Sequence, residues 1–339
     1  MESKLNLSKI SPISVAGGYW TGSSAVVDLL YEHNECNVIP GEFSFFSFGQ
    51  FFEEIFINIE SKKIDVDSFN LNLKRMRDFN KSDSRPIRPI LRKIFSLIDT
   101  YPKSIFNPRS GMKDLLGKEY DLACSKLFAE LEAVRDSNLE INQDRIKKFI
   151  LEVLTRATLA NKSNPENNIR YGIFDQIIAP PYTNFAKLAI PEMKFINVDR
   201  DYRDQYISLR EIFLKMMARN RALGIRPFNE NLSIEDNSPV DFMVRLRKRI
   251  ESSKEISLGE KHNDLIWISY EELLLNSESV SKEIFNFLEL DLSGWNKNQR
   301  FFPKKSSARI AKWKKGKWLK EPYKSELALL EERLGPVQR

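Results

Sequence analysis

The chain has 339 residues, enough for one large or two ordinary domains, and 42% of them are hydrophobic, which supplies a substantial core. No window approaches 18 consecutive apolar residues, and the aromatic stretch from Phe43 to Ile59 is broken by Gly49, Gln50, Glu53 and Glu54, so no membrane span is expected. Two histidines and two widely separated cysteines, Cys36 and Cys124, support neither a zinc centre nor a disulfide framework, and any general base is expected to be a carboxylate.

The net charge of +6 is local. Ten Lys or Arg and no Asp or Glu fall between Lys297 and Lys320, so the rest of the chain sums to −4. Such a run is a solvated face or a footprint for an anionic ligand, and no nucleic-acid-binding module accompanies it, so nucleic acid is not expected as a partner. The first residues, MESKLNLSKISPIS, lack the charged start and continuous apolar core of a secretory signal, which places the protein in the cytoplasm or another reducing compartment.

In chain order, Ile10 to Ala16 is apolar and extended and breaks at Gly17-Gly18; from Ser23 a helical pattern begins with Ala25, Val26, Leu29 and Leu30. A second extended run, Asn37 to Pro40, leads into Gly41-Glu42-Phe43. From about 45 to 160 the texture is helical. Phe45, Phe48, Phe52, Ile55, Phe56 and Ile59 form one stripe, and Ile146, Phe149, Ile150, Val153, Leu154 and Ala157 form another, both of the kind that faces a core. Lys81 to Pro89 and Asn161 to Asn168 read as connections. Three more strands are predicted at Arg170 to Phe174, Lys194 to Val198 and Asp264 to Ser269, each followed by a helical pattern, the alternation of a parallel α/β sheet. After the last strand Val280, Ile284, Phe287 and Leu288 mark one helix face.

Two segments point to anion chemistry. Gly17 to Ser24, GGYWTGSS, lies where a strand meets a helix N-terminus, so backbone N–H groups and the helix dipole converge there. The spacing Gly17-x-x-x-x-Gly22 matches the start of a Walker A loop, but Ser23 stands in the position of the lysine that reaches the β- and γ-phosphates, which argues against an ordinary ATPase or GTPase. The second segment is Lys194 to Ser208, KFINVDRDYRDQYIS, where Arg200 at a strand end can clamp a phosphate and Ser208 follows on the next helix; an Arg and Asp cluster capping that helix is the alternative.

Together the two segments resemble the sulfotransferases that use 3′-phosphoadenylyl sulfate. That family pairs a loop of the type PxSGT[TS], which holds the 5′-phosphosulfate, with an element of the type RDPRDxxxS, which holds the 3′-phosphate; Tyr19 to Ser24 is similar to the first and Arg200 to Ser208 to the second, with the same spacing. Ile268 to Leu273, ISYEEL, followed by NSESVSKEIFNFLEL, is similar to a third family segment. The resemblance implies an α/β fold with a P-loop NTPase-like parallel sheet flanked by helices, a single domain over 1–339 and a large helical insertion at about 50–165. It also implies 3′-phosphoadenylyl sulfate as donor, with no metal, and a hydroxyl acceptor.

On the same resemblance, Gly18, Tyr19, Trp20, Thr21, Gly22, Ser23 and Ser24 hold the 5′ end, Arg200 and Ser208 hold the 3′-phosphate, and Tyr270 lies near the adenine. Lys314-Lys315-Gly316 is similar to the family's RKG element, which adds Arg309, Lys314 and Lys315 to the nucleotide site. Two departures stand out: Trp20 replaces the first loop's cation, and Tyr202 replaces a proline. Glu42 is the first choice of base, since EFSFF resembles the EPHFF segment of the glycosaminoglycan-type branch, and burial beside phenylalanines would raise its pKa. Asp175 is the second, at the place of the small-molecule branch's histidine; His33 and His262 are not expected to act. The acceptor expected is a saccharide or polysaccharide hydroxyl. A nucleoside-triphosphate phosphotransferase and a non-catalytic nucleotide-binding protein remain open alternatives.

Overall fold

A computed structural model describes residues 10–18, 20–43, 45–46, 51–56, 66–81, 112–136, 143–160, 168–211, 238–259 and 263–336. Tyr19, Phe48, Ile59, His262 and nearly all of both predicted connections lie outside the described residues, as does the side chain of Phe56. In chain order the elements are β1 Ser11–Gly17, α1 Ser23–Tyr31, β2 Cys36–Glu42, α2 Phe51–Phe56, α3 Val66–Asn80, α4 Met112–Asp136, α5 Gln143–Ala160, β3 Tyr171–Asp175, α6 Thr183–Ala189 and β4 Lys194–Asp199. There follow α7 over 202–211, α8 Pro239–Gly259, β5 Leu265–Ser269, α9 Tyr270–Leu275, α10 Ser277–Phe287 and α11 Tyr323–Leu334. All five predicted strands are present within two residues of their expected ends.

The strands form one sheet in the order β2-β3-β1-β4-β5, with β2 parallel to β3 and β4 parallel to β5. This is the α/β architecture expected, and the described part of the 50–165 insertion is helical. Burial explains the order. β1 is buried at six of seven positions and β4 at four of six, the continuous apolar texture of central strands covered on both faces. β5 alternates partly exposed positions, as an edge strand does. Among the described residues no helix is long and apolar enough to cross a membrane, and no group of three or more His, Cys, Asp or Glu side chains is placed to hold a metal.

The chain divides into two compact units. The first comprises 1–14, 34–178 and 182–194, and the second 15–33, 179–181 and 195–339. In the first unit α4 packs on α5, and Phe43 at the end of β2 is fully buried against Phe45, Phe79, Tyr120 and Phe174. The predicted α5 stripe is buried at Ile146, Ile150, Val153, Leu154 and Ala157, while Phe149 is half-buried beneath Arg145. Cys36 and Cys124 are free and buried, as small core residues; burial pushes the Cys124 thiol up to about 12.

In the second unit α7, α8 and α11 enclose Tyr202, Tyr206, Leu209, Val240, Met243, Val244, Leu327 and Leu330. On α10 the buried face is Val280, Ser281, Ile284 and Phe285, so helical spacing leaves Phe287 at its margin, half-buried, where the sequence pattern had placed it on the face. The segment after α10 is tied to the end of α1 by Glu32, which is 1% exposed. Its carboxylate accepts hydrogen bonds from the indole of Trp295 at 3.0 Å and from the backbone N–H groups of Gln299, Arg300 and Phe301, each at 2.8 Å. Three successive N–H groups converging on one oxygen form an anion nest. Glu32→Ala leaves these donors without their acceptor and should lower stability by about 3 kcal/mol in urea unfolding; a loss under about 1 kcal/mol would show that the contact carries no weight.

Candidate nucleotide site

The phosphate loop and the arginine element meet within the second unit. β1 and β4 are neighbours, and both end at the same edge of the sheet: a Cβ on Gly17 would lie 2.9 Å from the carbonyl oxygen of Val198 and 1.7 Å from Thr21 Oγ1. Only glycine fits there. From β1 the chain crosses to β2, whereas from β4 it leads to β5 at the opposite edge, so the order reverses at the β1–β4 step. Crevices of this kind, at the carboxyl ends of strands, are where α/β sheets place ligands.

The loop turns sharply into α1. Trp20 and Gly22 both have left-handed backbone, with φ of 51° and 91°. Gly22 caps α1 without a side-chain hydrogen bond, and no acidic residue lies in the first turn, so the positive end of the dipole is uncompensated. Thr21 is 1% exposed and its Oγ1 has no hydrogen-bond partner, an orphaned polar atom inside the turn. Ser23 is buried and Ser24 exposed. The side chain of Trp20 packs against the apolar cluster of α7, α8 and α11. The residue that replaces the expected cation therefore anchors the loop by burial.

Arg200 is 6% exposed and reaches three elements. Its Nη1 donates to the Trp20 carbonyl at 3.1 Å, its Nη2 donates to the Arg309 carbonyl at 2.9 Å, and its guanidinium lies 4.7 Å from the centre of the Tyr270 ring. Its Nε is buried without a partner. Ser208, half-buried on α7, donates to the Asp204 carbonyl one turn back. Tyr270 is 2% exposed and begins α9, against both Arg200 and Gly22; burial raises its phenol pKa against the opposing pull of Arg200 and Arg309. The basic segment runs as short helical turns from Pro303 to Leu319 and is held by Asp204, whose carboxylate accepts from the N–H groups of Ala311 at 2.6 Å and Trp313 at 3.3 Å. Burial raises the pKa of Asp204 despite these donors and Arg200. The side chains of Arg309, Lys314 and Lys315 are exposed, and Lys314 lies 5.0 Å from the Trp313 ring centre.

Glu42 and Asp175 belong to the first unit. They are partners in register at the ends of β2 and β3, and the Phe43 N–H donates to the Asp175 carbonyl at 2.8 Å. The expected burial of Glu42 is not found. Its side chain is exposed, because alternation along the chain turns the following residue, Phe43, into the core. His33 caps the region after α1, with Nε2 2.9 Å from the Asp291 carbonyl.

No protein-family model matches the sequence, and no curated protein matches it. Three solved structures are similar to the chain. The sulfotransferase domain from the curacin biosynthetic pathway is 10% identical, with a TM-score of 0.43 over 98% of this chain and 99% of that one. The sulfotransferase domain from the Synechococcus PCC 7002 olefin synthase is 13% identical, with a TM-score of 0.42 over 97% and 95%. Sulfotransferase STF9 from Mycobacterium avium is 12% identical, with a TM-score of 0.43 over 96% and 75%. At these values the likeness decides nothing about donor, acceptor or reaction.

A further group of residues lies behind the loop. Asp199, the last residue of β4, accepts from the Arg200 N–H at 2.8 Å, from Arg247 Nη1 at 2.7 Å and from Lys254 at 3.1 Å. Burial raises its pKa, but Arg247 and Lys254 outweigh burial and hold it below the usual carboxylate value. Arg247 Nη1 also lies 3.4 Å from both the Arg200 carbonyl and Gln205 Oε1, and Gln205 Nε2 donates to the Gly18 carbonyl. The sequence carried a signal for Arg247: it interrupts the apolar stripe Val240, Met243, Val244, Ile250 at helical spacing, a charge on a buried face.

The geometry of Gly22 is directly testable. A Cβ there would sit 2.3 Å from Tyr270 Cδ2 on backbone with φ of 91°, so Gly22→Ala should lower stability by about 1 kcal/mol or more in thermal unfolding. The loss should shrink in a Tyr270→Ala background, where the colliding ring is gone; equal losses in both backgrounds would mean that the two residues do not touch.

Proposed function

We propose that the chain is a sulfotransferase that takes a sulfuryl group from 3′-phosphoadenylyl sulfate and delivers it to a hydroxyl of a saccharide or polysaccharide, in a reducing cytoplasm. The observation that carries this reading is the hydrogen bond from Arg200 to the Trp20 carbonyl, which joins the phosphate loop to a second buried cation 180 residues away. A 5′-phosphate alone needs only the loop, whereas a nucleotide phosphorylated at both the 5′ and 3′ positions needs both. The orphaned Thr21 Oγ1 and Arg200 Nε, the glycine-only approach at Gly17 and the uncompensated start of α1 suit two anionic groups.

In this reading the donor supplies an activated sulfuryl group, and the acceptor oxygen bonds to sulfur as the bond from sulfur to the 5′-phosphate oxygen breaks. Backbone N–H groups of Gly18 to Ser24 hold the 5′ end and the charge that grows there. Arg200 turns its two terminal nitrogens from backbone carbonyls to the 3′-phosphate, with Ser208 as the hydroxyl beside it and Tyr270 against the nucleoside. Arg309, Lys314 and Lys315 add positive charge from the basic segment. Glu42 takes the acceptor's hydroxyl proton, and its exposed side chain is open to an incoming acceptor. Asp175 is the second choice for that role.

Calorimetric titration tests the donor. Adenosine 3′,5′-bisphosphate should bind at least about tenfold more tightly than ATP, and equal weakness for both would overturn the reading. Arg200→Ala should weaken the bisphosphate by about 1.5 to 3 kcal/mol while leaving AMP nearly unchanged. For the base, Glu42→Gln should slow transfer by about a hundredfold or more at unchanged nucleotide affinity. If Asp175→Asn slows transfer instead, the proton goes to Asp175.

A further inference from the structure

We propose that Arg247 is a positioning residue that fixes the spacing between the two ends of the nucleotide grip. The inference rests on reading the Gly17 to Ser24 loop and Arg200 as one site. Arg247 is 6% exposed on the buried face of α8, among Val240, Met243, Val244 and Ile250, where an apolar side chain would pack without a desolvation cost. Its neighbours show what the charge does there. One terminal nitrogen faces the Asp199 carboxylate at 2.7 Å, the Arg200 carbonyl at 3.4 Å and Gln205 Oε1 at 3.4 Å. Gln205, which is fully buried, donates through its other end to the Gly18 carbonyl. A single terminal nitrogen thus faces the backbone of Arg200 and, through Gln205, the backbone of the Gly17 to Ser24 loop, while the other, Nη2, lies 3.5 Å from Glu251.

Lys254 on the second oxygen of Asp199 keeps that carboxylate in place, and Arg247 Nε stays buried without a partner. The side chain thus gives up a hydrogen bond of its own to remain where it bridges. A lysine at this position can still pair with Asp199, but its stem is one bond shorter than that of arginine, so its ammonium should not reach all three acceptors that Nη1 faces. The consequence is preorganisation. Each phosphate site exists without Arg247, but their separation is set by it, so its contribution appears only with a ligand that occupies both ends at once.

The test compares adenosine 3′,5′-bisphosphate, 5′-AMP and 3′-AMP by calorimetry in the unchanged protein, in Arg247→Lys and in Gln205→Met, with thermal unfolding alongside. Arg247→Lys should lose about tenfold or more in affinity for the bisphosphate and less than about threefold for either monophosphate. Gln205→Met, which removes the relay from Arg247 to Gly18 and leaves the Arg247–Asp199 pair, should show the same selective loss, and it carries the test if Arg247→Lys does not fold. Bisphosphate affinity within about twofold of the unchanged protein would overturn the proposal, as would a parallel fall for all three nucleotides together with the melting temperature. If the unchanged protein itself shows no preference for the bisphosphate over 5′-AMP, the nucleotide site is wrong and not merely the role of Arg247.

Discussion

The second unit is organised around a buried positive charge at the end of β4. Arg200 and Arg247 are each 6% exposed, and a lone guanidinium at that depth would be prohibitively unstable. Asp199 resolves this by taking Arg247 and Lys254 on its two oxygens and the Arg200 N–H as well. Among the described residues no carboxylate forms an ion pair with Arg200. Its side-chain hydrogen bonds go to two backbone carbonyls and its face to the Tyr270 ring, partners that stabilise a cation without neutralising it. A guanidinium solvated by carbonyls keeps its attraction for an anion, whereas one locked to a carboxylate does not. The neighbouring Arg203 shows the contrast: it is bound through its side chain to Asp201 and Glu331 and stacked 3.9 Å from the centre of Trp313, a structural ion pair by every measure.

The strands and the turns that follow β1 and β4 were legible because each depends on local pattern. β1 and β4 are continuous apolar runs that end in glycine and in Asp-Arg, and both patterns survive in the sequence whatever the rest of the chain does. The burial of Trp20 was not legible, since its packing partners on α7, α8 and α11 lie some 180 to 310 positions further on. Glu32 was missed for the same reason: its donors are 263 to 269 residues away. The exposure of Glu42 followed from the simplest rule available. Phe43 is committed to the aromatic cluster, and the residue before it must face the other way.

Arg247 marks a different kind of limit. Its place in the α8 stripe could be counted from the sequence, but an arginine at a helical stripe position is as often a boundary residue whose stem lies on the core while its head reaches water. What separates the two is whether buried acceptors await the head group. Here Glu251 lies one turn on in α8, but the buried acceptors come from the end of β4 and from α7, and the sequence of α8 alone holds no trace of those.

Trp20 then changes the electrostatics of the loop as well as its packing. A cation in the turn would sit against the 5′ end of a bound nucleotide and could adjust to it. With a partly buried indole packed against the cluster instead, the loop is held from behind by packing and by Gln205 on the Gly18 carbonyl, and its attraction for anions comes from a fixed source, the α1 dipole. Fixed dipoles do not reorganise as charge moves, so under the proposed reaction they would favour the state in which negative charge has built up at the leaving phosphate over the state before transfer. The cost is tolerance. A loop held this way depends on the position of β4 behind it, and the bond from Arg200 to the Trp20 carbonyl couples a displacement at the end of β4 to the loop.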